Sequence, residues 1–245
     1  SERMLSLIGL GLHDEKDITV KGLDRVHAAD YVYLEGYTSK LQCSFQDLET
    51  FYGRPITVVD RAFVEDGTVL LSQAGYQNIV LLIIGDVFRA TTHIALSLDA
   101  QKKGVDVEVI PNASILTAVG ITGLDVYKFG RVTSIPFHES GTPLNVITAN
   151  FPLHTLCLLD LNPQENQFME ACTAIEKLKK QGFDTETTVV VCAQVGSPKP
   201  TVLYGKAKDV QPLGIYPQCL IIPGELHFME KEGIKSVQEL VGVKA

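Results

Sequence analysis

The stretch LLIIGDVFRATTHIA, Leu81 to Ala95, decides how the first half of this chain folds. Its apolar run predicts a buried strand that ends at Gly85-Asp86, and a helix is predicted from about Ala90 to Lys103. A strand that turns into a helix in this way places its loop at the carboxyl edge of a parallel sheet, where α/β proteins bind ligands. The same Gly-Asp pair is also common in ordinary turns, so the loop by itself leaves both interpretations open.

Strand and helix patterns alternate from Met4 to Ile110. Apolar or alternating runs predict strands at Met4–Leu10, Tyr31–Glu35, Ile56–Val59, Ile79–Ile84 and Val105–Ile110. Further helices are predicted over Phe45–Tyr52, over Thr68–Ala74, and after Thr19 through Ala29, with Val20, Leu23, Val26 and His27 on one face. Ser44 and Asp47 form a capping-box pattern. This alternation predicts a parallel sheet covered by helices.

The pattern changes after Pro111. Helices are predicted at Ser114–Gly123 and, as the one long amphipathic helix, at about Asn166–Lys180. Strands are predicted at Val132–Pro136, Thr155–Leu159, Thr187–Ala193, Thr201–Ala207 and Cys219–Ile222. More strands than helices indicate a mixed sheet. We therefore predict an α/β protein with an N-terminal domain over residues 1–111, a C-terminal mixed α/β domain over 112–245, and a ligand cleft between them.

Composition excludes several classes of protein. The 245 residues are 45% hydrophobic with a formal net charge of −8, which argues against a nucleic-acid partner. No apolar run approaches the roughly 18 residues of a membrane span. The five cysteines show no CxxC spacing, which favours reduced thiols in the cytoplasm, and no Cys, His, Asp or Glu cluster has the spacing of a metal site.

Common catalytic and cofactor motifs are missing. Gly9-x-Gly11-x-x-Asp14 follows a strand but lacks the third glycine of a dinucleotide site, and its helix begins too late. The chain contains neither a P-loop nor a GxSxG motif. His93 and His227 each fit a structural histidine as well as a catalytic one, and Asp160 fits a cap as well as a ligand-facing group.

Small and polar residues follow the predicted strands with unusual frequency. They occur at Gly9–Leu12, Gly85–Asp86, Asn112–Ile115, Leu159–Asp160 and Val195–Ser197. Such loops offer main-chain N–H and C=O groups. They suit a polar, neutral to cationic small ligand better than a polyphosphate, which requires Lys or Arg.

Several blocks of the chain closely resemble the diphthine synthase family of the tetrapyrrole-methylase superfamily. They are IGLGLHDEKDITVKGLDRVHAADYVYLEGYTS (Ile8–Ser39), GDVFRATTH (Gly85–His93), NASILTAVGITGLDVYKFG (Asn112–Gly130), HTLCLLDL (His154–Leu161) and IIPGELH (Ile221–His227). The resemblance is collinear over nearly the whole chain. It implies two α/β domains that hold S-adenosyl-L-methionine between them, commonly in a homodimer.

The resemblance also implies a reaction. Family members transfer methyl groups repeatedly to the amino group of a modified histidine on translation elongation factor 2, releasing S-adenosyl-L-homocysteine. Two alternatives stay open: another methyltransferase of the superfamily, or a catalytically inactive relative that still binds the cofactor. No residue of the chain is identified as a general base, so the catalytic residues are unknown.

The cofactor contacts of the family correspond to eight positions. They are Leu12, Asp86, Arg89, Ser114, Ile115, Leu159, Val195 and Gln218. Three of them depart from the family pattern: Arg89 replaces a small or apolar residue, Val195 a common alanine and Gln218 a common histidine. The segments Phe137–Leu153 and Asn162–Ala174 are shorter than in relatives.

Overall fold

The computed structural model describes residues 3–89 and 91–240. It divides into two compact units, residues 1–114 and 115–245. The division follows Ser114, whereas the sequence places the boundary after Pro111. Within the described residues, no helix has the length and apolar character that crossing a membrane requires.

The first unit is built on a five-stranded parallel sheet with strand order β3-β2-β4-β1-β5. The strands are β1 (Met4–Gly9), β2 (Tyr31–Glu35), β3 (Thr57–Val59), β4 (Asn78–Ile83) and β5 (Val107–Ile110). The helices are α1 (Val20–Ala28), α2 (Phe45–Tyr52), α3 (Arg61–Asp66), α4 (Thr68–Ala74) and α5 (Thr91–Lys102). Buried apolar side chains form a core on each face of this sheet. The predicted parallel, helix-covered sheet is confirmed.

The helix α1 begins where the sequence predicts but buries a different face. The Thr19 hydroxyl caps it by accepting a hydrogen bond from the N–H of Gly22 at 3.0 Å. Val26 is buried, whereas Val20 and His27 are exposed, so the predicted apolar face is wrong at those two positions. The reason is Gly22: a Cβ there would lie 2.9 Å from Cγ2 of Ile8, so the helix approaches β1 through its glycine.

Local signals explain which helices of this unit were predictable. Ser44 and Asp47 form the predicted capping box at the start of α2. The sequence analysis missed α3, which has six residues and is capped by the Asp60 carboxylate bonding to Phe63 N–H. Such a short helix offers too few turns for an apolar periodicity. The predicted helix start at Ala90 lies outside the described residues, and α5 is described from Thr91.

The second unit contains the predicted mixed sheet, and its strand order is β11-β10-β12-β7-β6. Only the β6–β7 pair among these neighbours is parallel. The strands are β6 (Thr133–Ile135), β7 (Thr155–Leu159), β10 (Thr188–Ala193), β11 (Thr201–Lys206) and β12 (Gln218–Ile222), and a separate hairpin pairs β8 (Leu161–Asn162) with β9 (Gln167–Phe168). The helices are α6 (Ile115–Ala118), α7 (Thr142–Asn150), α8 (Ala171–Lys180) and α9 (Phe228–Leu240).

Two helix predictions for this unit need correction, and two helices were not predicted. The helix predicted from Asn166 begins only at Ala171, because Gln167–Phe168 pairs with Leu161–Asn162 and Asn166 adopts a left-handed φ of 54°. The helix predicted over Ser114–Gly123 is α-helical only at Ile115–Ala118 and continues as a 3-10 helix. The sequence analysis also missed α7 and α9.

The helix α9 is held by a buried carboxylate rather than by an apolar stripe alone. Glu230 is 1% exposed, and its carboxylate accepts hydrogen bonds from Lys128 Nζ at 2.5 Å and His154 Nε2 at 2.5 Å. It also accepts from the main-chain N–H groups of Asp125 at 3.0 Å and His227 at 3.2 Å. This polar residue interrupts the apolar periodicity of α9, which explains why the helix was missed.

These contacts make Glu230 a pH-dependent part of the fold. Burial alone would raise the pKa of its carboxyl, but the hydrogen bonds from Lys128, Asp125 N–H, His154 and His227 N–H lower it to about 2. A carboxyl whose pKa is depressed in the folded state contributes stability that is present above its unfolded pKa and lost as pH falls through the folded value.

We predict that Glu230→Gln lowers the free energy of unfolding at pH 7 by about 2–3 kcal/mol, because a charged acceptor at the centre of the cluster is lost. Urea unfolding from pH 7 to pH 2 measures it: the difference from wild type should shrink between about 4.5 and about 2. The matched control is Glu186→Gln, because the pKa of Glu186 is also about 2 but its side chain is 54% exposed to solvent. A small, salt-sensitive effect is expected there. A pH-independent loss for Glu230→Gln would contradict the assignment.

Candidate functional site

The carboxyl ends of β4, β1 and β5 lie side by side, because β1 runs between the other two strands. Three loops therefore leave the sheet at one edge: Leu10–Leu12 after β1, Ile84–Asp86 after β4 and Pro111–Ser114 after β5. Ligands of open α/β sheets bind at this kind of edge, where neighbouring connections diverge.

Two of the loops are joined through their main chains. The N–H of Gly11 donates to the carbonyl of Gly85 at 3.1 Å, and Gly85 N–H donates to the carbonyl of Gly11 at 2.8 Å. Both residues have a positive φ, 75° at Gly11 and 82° at Gly85, which glycine adopts without strain. The reciprocal pair continues the β1–β4 contact beyond the ends of the strands and holds the two loops together.

The third loop is attached by Asn112. Its Nδ2 donates to the carbonyls of Gly9 at 3.0 Å and Asp17 at 2.9 Å. Its main-chain N–H donates to Oδ1 of Asp86 at 3.0 Å. Asn112 thereby connects the third loop to the end of β1, to Asp17 and to the loop after β4. Gly9 allows this approach, since a Cβ there would lie 2.9 Å from Cβ of Asn112.

The predicted cofactor residues of the first unit lie on these loops. Leu12 and Asp86 are half-buried, and Ser114 is buried. A Cβ on Gly85 would point into space bounded by Leu12 Cδ2 at 4.0 Å and the carbonyl oxygen of Ala113 at 3.9 Å. Leu12, Asp86 and the Ala113–Ser114 segment therefore converge around Gly85. The side chain of Arg89 lies outside the described part of the chain.

Three of the predicted residues in the second unit lie at one edge of its sheet. Gln218 pairs with Ala193, the last residue of β10, and the neighbouring pair Cys219–Leu158 brings Leu159 to the same edge. Val195 follows β10 by two residues and is buried. Ile115 opens α6 and packs against the apolar cluster that contains Val195.

The side chain of Gln218 is already engaged. Its Oε1 accepts from the N–H of Ala171 at 2.8 Å, and its Nε2 donates to Glu170 Oε2 at 2.7 Å and to the carbonyl of Ile215 at 2.9 Å. Gln194, between Ala193 and Val195, adopts a left-handed φ of 53° that is uncommon for a residue with a side chain.

The structure shows the contacts of the three polar side chains whose roles the sequence leaves open. His93 is 2% exposed, and its Nε2 lies 2.5 Å from Oε2 of Glu35, so its partner is a carboxylate rather than the loop carbonyl expected of a structural histidine. Asp160 acts as a cap, accepting from the N–H groups of Phe137 at 3.0 Å and Leu161 at 2.9 Å. His227 is 45% exposed, and its Nδ1 accepts the N–H of Glu230 at 3.3 Å.

Two residues of this region were not recognised from the sequence. Asn112 appeared only as part of a polar loop, and Glu35 only as the last residue of a predicted strand. The signal for Glu35 was available: it is a charged residue that ends an otherwise apolar strand. Its partner lies 58 residues away, and no local pattern specifies that distance. Across residues 3–89 and 91–240, no three His, Cys, Asp or Glu side chains are grouped so that they could hold a metal ion.

Comparison with known proteins gives a consistent result. Residues 4–211 match the family model for Tetrapyrrole (Corrin/Porphyrin) Methylases. The diphthine synthase of Methanocaldococcus jannaschii is 44% identical over 259 residues, which cover 96% of this chain and 99% of that protein. The diphthine synthase of Methanococcus maripaludis strain C7 is 42% identical over 253 residues with the same coverage. A crystal structure of diphthine synthase aligns with a TM-score of 0.90 and 37% identity, covering 97% of this chain and 100% of that one.

We predict that Asn112→Ala lowers the free energy of unfolding by about 2 kcal/mol, because the carbonyls of Gly9 and Asp17 lose their donor. Urea unfolding at pH 7 measures it. Asn145→Ala, at an exposed position of α7, makes the same chemical change and should alter stability by less than about 0.5 kcal/mol. Equal effects of the two substitutions would show that Asn112 does not hold the loops together.

Proposed function

The chain belongs to the tetrapyrrole (corrin/porphyrin) methylases and, among them, to the diphthine synthases; it is an S-adenosyl-L-methionine-dependent methyltransferase, and we propose that it methylates the modified histidine of translation elongation factor 2. The observation that carries this proposal is the similarity of 96% of the chain to diphthine synthases. The acceptor is then the amino group of a partly built diphthamide side chain, which is methylated repeatedly.

The strand-end loops suit the methyl donor chemically. S-adenosyl-L-methionine is a zwitterionic nucleoside with a sulfonium cation and carries no phosphate. The loops around Gly85 present main-chain groups and the carboxylate of Asp86, and the space at Gly85 is bounded by Leu12 and Ala113. We propose that the cofactor contacts are made by Leu12, Asp86, Arg89, Ser114, Ile115, Leu159, Val195 and Gln218.

Methyl transfer places modest chemical demands on the chain. The bound cofactor supplies a methyl group already activated by the sulfonium. The residues at the strand ends orient the reactants and limit the access of water. The acceptor amine attacks in its neutral form, and its proton leaves to solvent or to a base. No side chain at the described edge is assigned that role, so catalysis is attributed to alignment.

The proposal also covers the oligomeric state of the enzyme, its location, its protein partner and its product. We propose a homodimer, which light scattering of the purified protein tests, and a cytoplasmic location, which the free cysteines favour. The protein partner is elongation factor 2. S-adenosyl-L-homocysteine is the product of each transfer.

For the cofactor site, we predict that Asp86→Asn weakens S-adenosyl-L-methionine binding about tenfold while the free energy of unfolding changes by less than about 0.5 kcal/mol. Asparagine keeps an acceptor for the N–H of Asn112 but removes the charge that favours a cationic ligand. Titration calorimetry and urea unfolding measure the two effects.

Asp60→Asn is the control, since Asp60 also follows a strand and accepts one main-chain N–H, from Phe63 at 2.9 Å. Unchanged affinity for Asp86→Asn would remove the carboxylate from the proposed contacts.

The acceptor is tested by incubating the protein with methyl-labelled S-adenosyl-L-methionine and elongation factor 2 that carries the partly built side chain. We expect label on the factor, and mass spectrometry should show successive additions of one methyl group. The same factor without the modification serves as the control and should remain unlabelled. Cofactor binding without transfer would favour the inactive relative, and transfer to a tetrapyrrole or to RNA would favour another branch of the superfamily.

A further inference from the structure

Each unit contains one buried glutamate–histidine pair that the proposed reaction does not use. In the first unit, His93 Nε2 lies 2.5 Å from Glu35 Oε2, with exposures of 2% and 0%. In the second unit, His154 Nε2 lies 2.5 Å from Glu230 Oε2, with exposures of 0% and 1%. The two pairs match in chemistry, distance and burial. They differ in their surroundings and in the edge of the sheet that they occupy.

The pair in the second unit is fully satisfied by protein groups. His154 Nδ1 accepts the N–H of Gly224 at 2.8 Å, which leaves its Nε2 as the donor to Glu230. The other oxygen of Glu230 accepts from Lys128 and from His227 N–H. His154 also lies before β7, at the opposite end of that strand from Leu159. This pair attaches α9 and is remote from the proposed cofactor residues of its sheet.

The pair in the first unit is not satisfied in this way. Within the described residues, Nδ1 of His93 is buried without a hydrogen-bond partner, and the hydroxyl of Tyr37 neighbours the carboxylate of Glu35. Burial, followed by the charge of the neighbouring Glu35, raises the pKa of Tyr37. The guanidinium of Arg61 lies 4.8 Å from the centre of the Tyr37 ring.

Stability alone does not account for such a pair. Burying two ionisable side chains costs desolvation energy, and apolar replacements of similar volume are often equally or more stable. Buried polar atoms without partners add to that cost, and native proteins leave few of them. A cost of this kind is commonly found where a site requires one particular geometry.

The positions of Glu35 and His93 indicate which part of the first unit their contact holds in place. Glu35 ends β2, the strand next to β4, and His93 lies in the first turn of α5. The connection from β4 to α5 begins at Ile84 and carries Asp86. Its first end is held by the Gly11–Gly85 hydrogen bonds, and its middle by the fully buried side chain of Val87. The bond from His93 to Glu35 holds the second end.

We propose that Glu35 and His93 are positioning residues for donor binding, because their contact ties the start of α5 to the end of β2 and so sets the loop that carries Asp86. This inference rests on the proposed cofactor site but not on the identity of the methyl acceptor. It deepens that site by assigning a binding role to two side chains that are buried and do not line it.

The test separates affinity from stability. We expect Glu35→Gln and His93→Gln each to weaken S-adenosyl-L-homocysteine binding about tenfold in calorimetry, at a temperature where both variants are folded. In turnover assays the KM for S-adenosyl-L-methionine should rise about tenfold while kcat changes less than threefold. A residue that only stabilised the fold would leave both quantities unchanged below the unfolding transition.

The matched control is His154→Gln. It removes a histidine from an equally buried pair, so we expect a comparable fall in the unfolding midpoint but an affinity within twofold of wild type. If Glu35→Gln and His93→Gln also bind within twofold of wild type, or if His154→Gln loses as much affinity as they do, the proposal is overturned.

A double substitution guards against variants that do not fold. Glu35→Leu with His93→Leu replaces the buried charges by apolar side chains and is expected to fold. The proposal requires this variant to bind at least tenfold more weakly than wild type despite its stability, and wild-type affinity would overturn it. Binding of S-adenosyl-L-homocysteine by the wild type without methylation of elongation factor 2 would refute the proposed acceptor alone and leave this test intact.

Discussion

The reciprocal hydrogen bonds between Gly11 and Gly85 are the constraint on which the first unit's site depends. Parallel strands end with unpaired main-chain groups, and a loop that leaves the sheet must satisfy them or expose them. Here two loops satisfy each other, which requires a positive φ at both residues. Asn112 then attaches the third loop to the same edge through Gly9 and Asp17.

This arrangement explains how a methyltransferase functions with few conspicuous catalytic groups. A sulfonium donor is already activated, so a protein that transfers its methyl group needs accurate alignment more than it needs an acid or a nucleophile. Alignment comes from loops held at several points. The hydrogen bonds between Gly11 and Gly85 and the bond from Asn112 to Asp86 restrain the loop after β4, and the Glu35–His93 contact restrains the first turn of α5.

The fold was predictable where local signals are strong. The strands of the parallel sheet, the Ser44–Asp47 capping box and the mixed character of the second sheet followed from periodicity and caps. The helix α9 was missed because Glu230, buried within a polar cluster, interrupts the apolar pattern. The candidate site was predictable only as a set of strand-end loops and, by resemblance, as eight positions that remain to be tested.

The sequence by itself determined the alternation of strands and helices, the small polar residues at the strand ends and the family, because each is encoded in neighbouring residues. Tertiary structure alone decided the partners. Strand order placed β1 between β4 and β5, which brought together Gly11 and Gly85, and Asn112 and Gly9. It also placed β2 beside β4, which brought Glu35 to His93. These contacts join residues far apart in the chain, and only the packed sheet determines which distant groups meet.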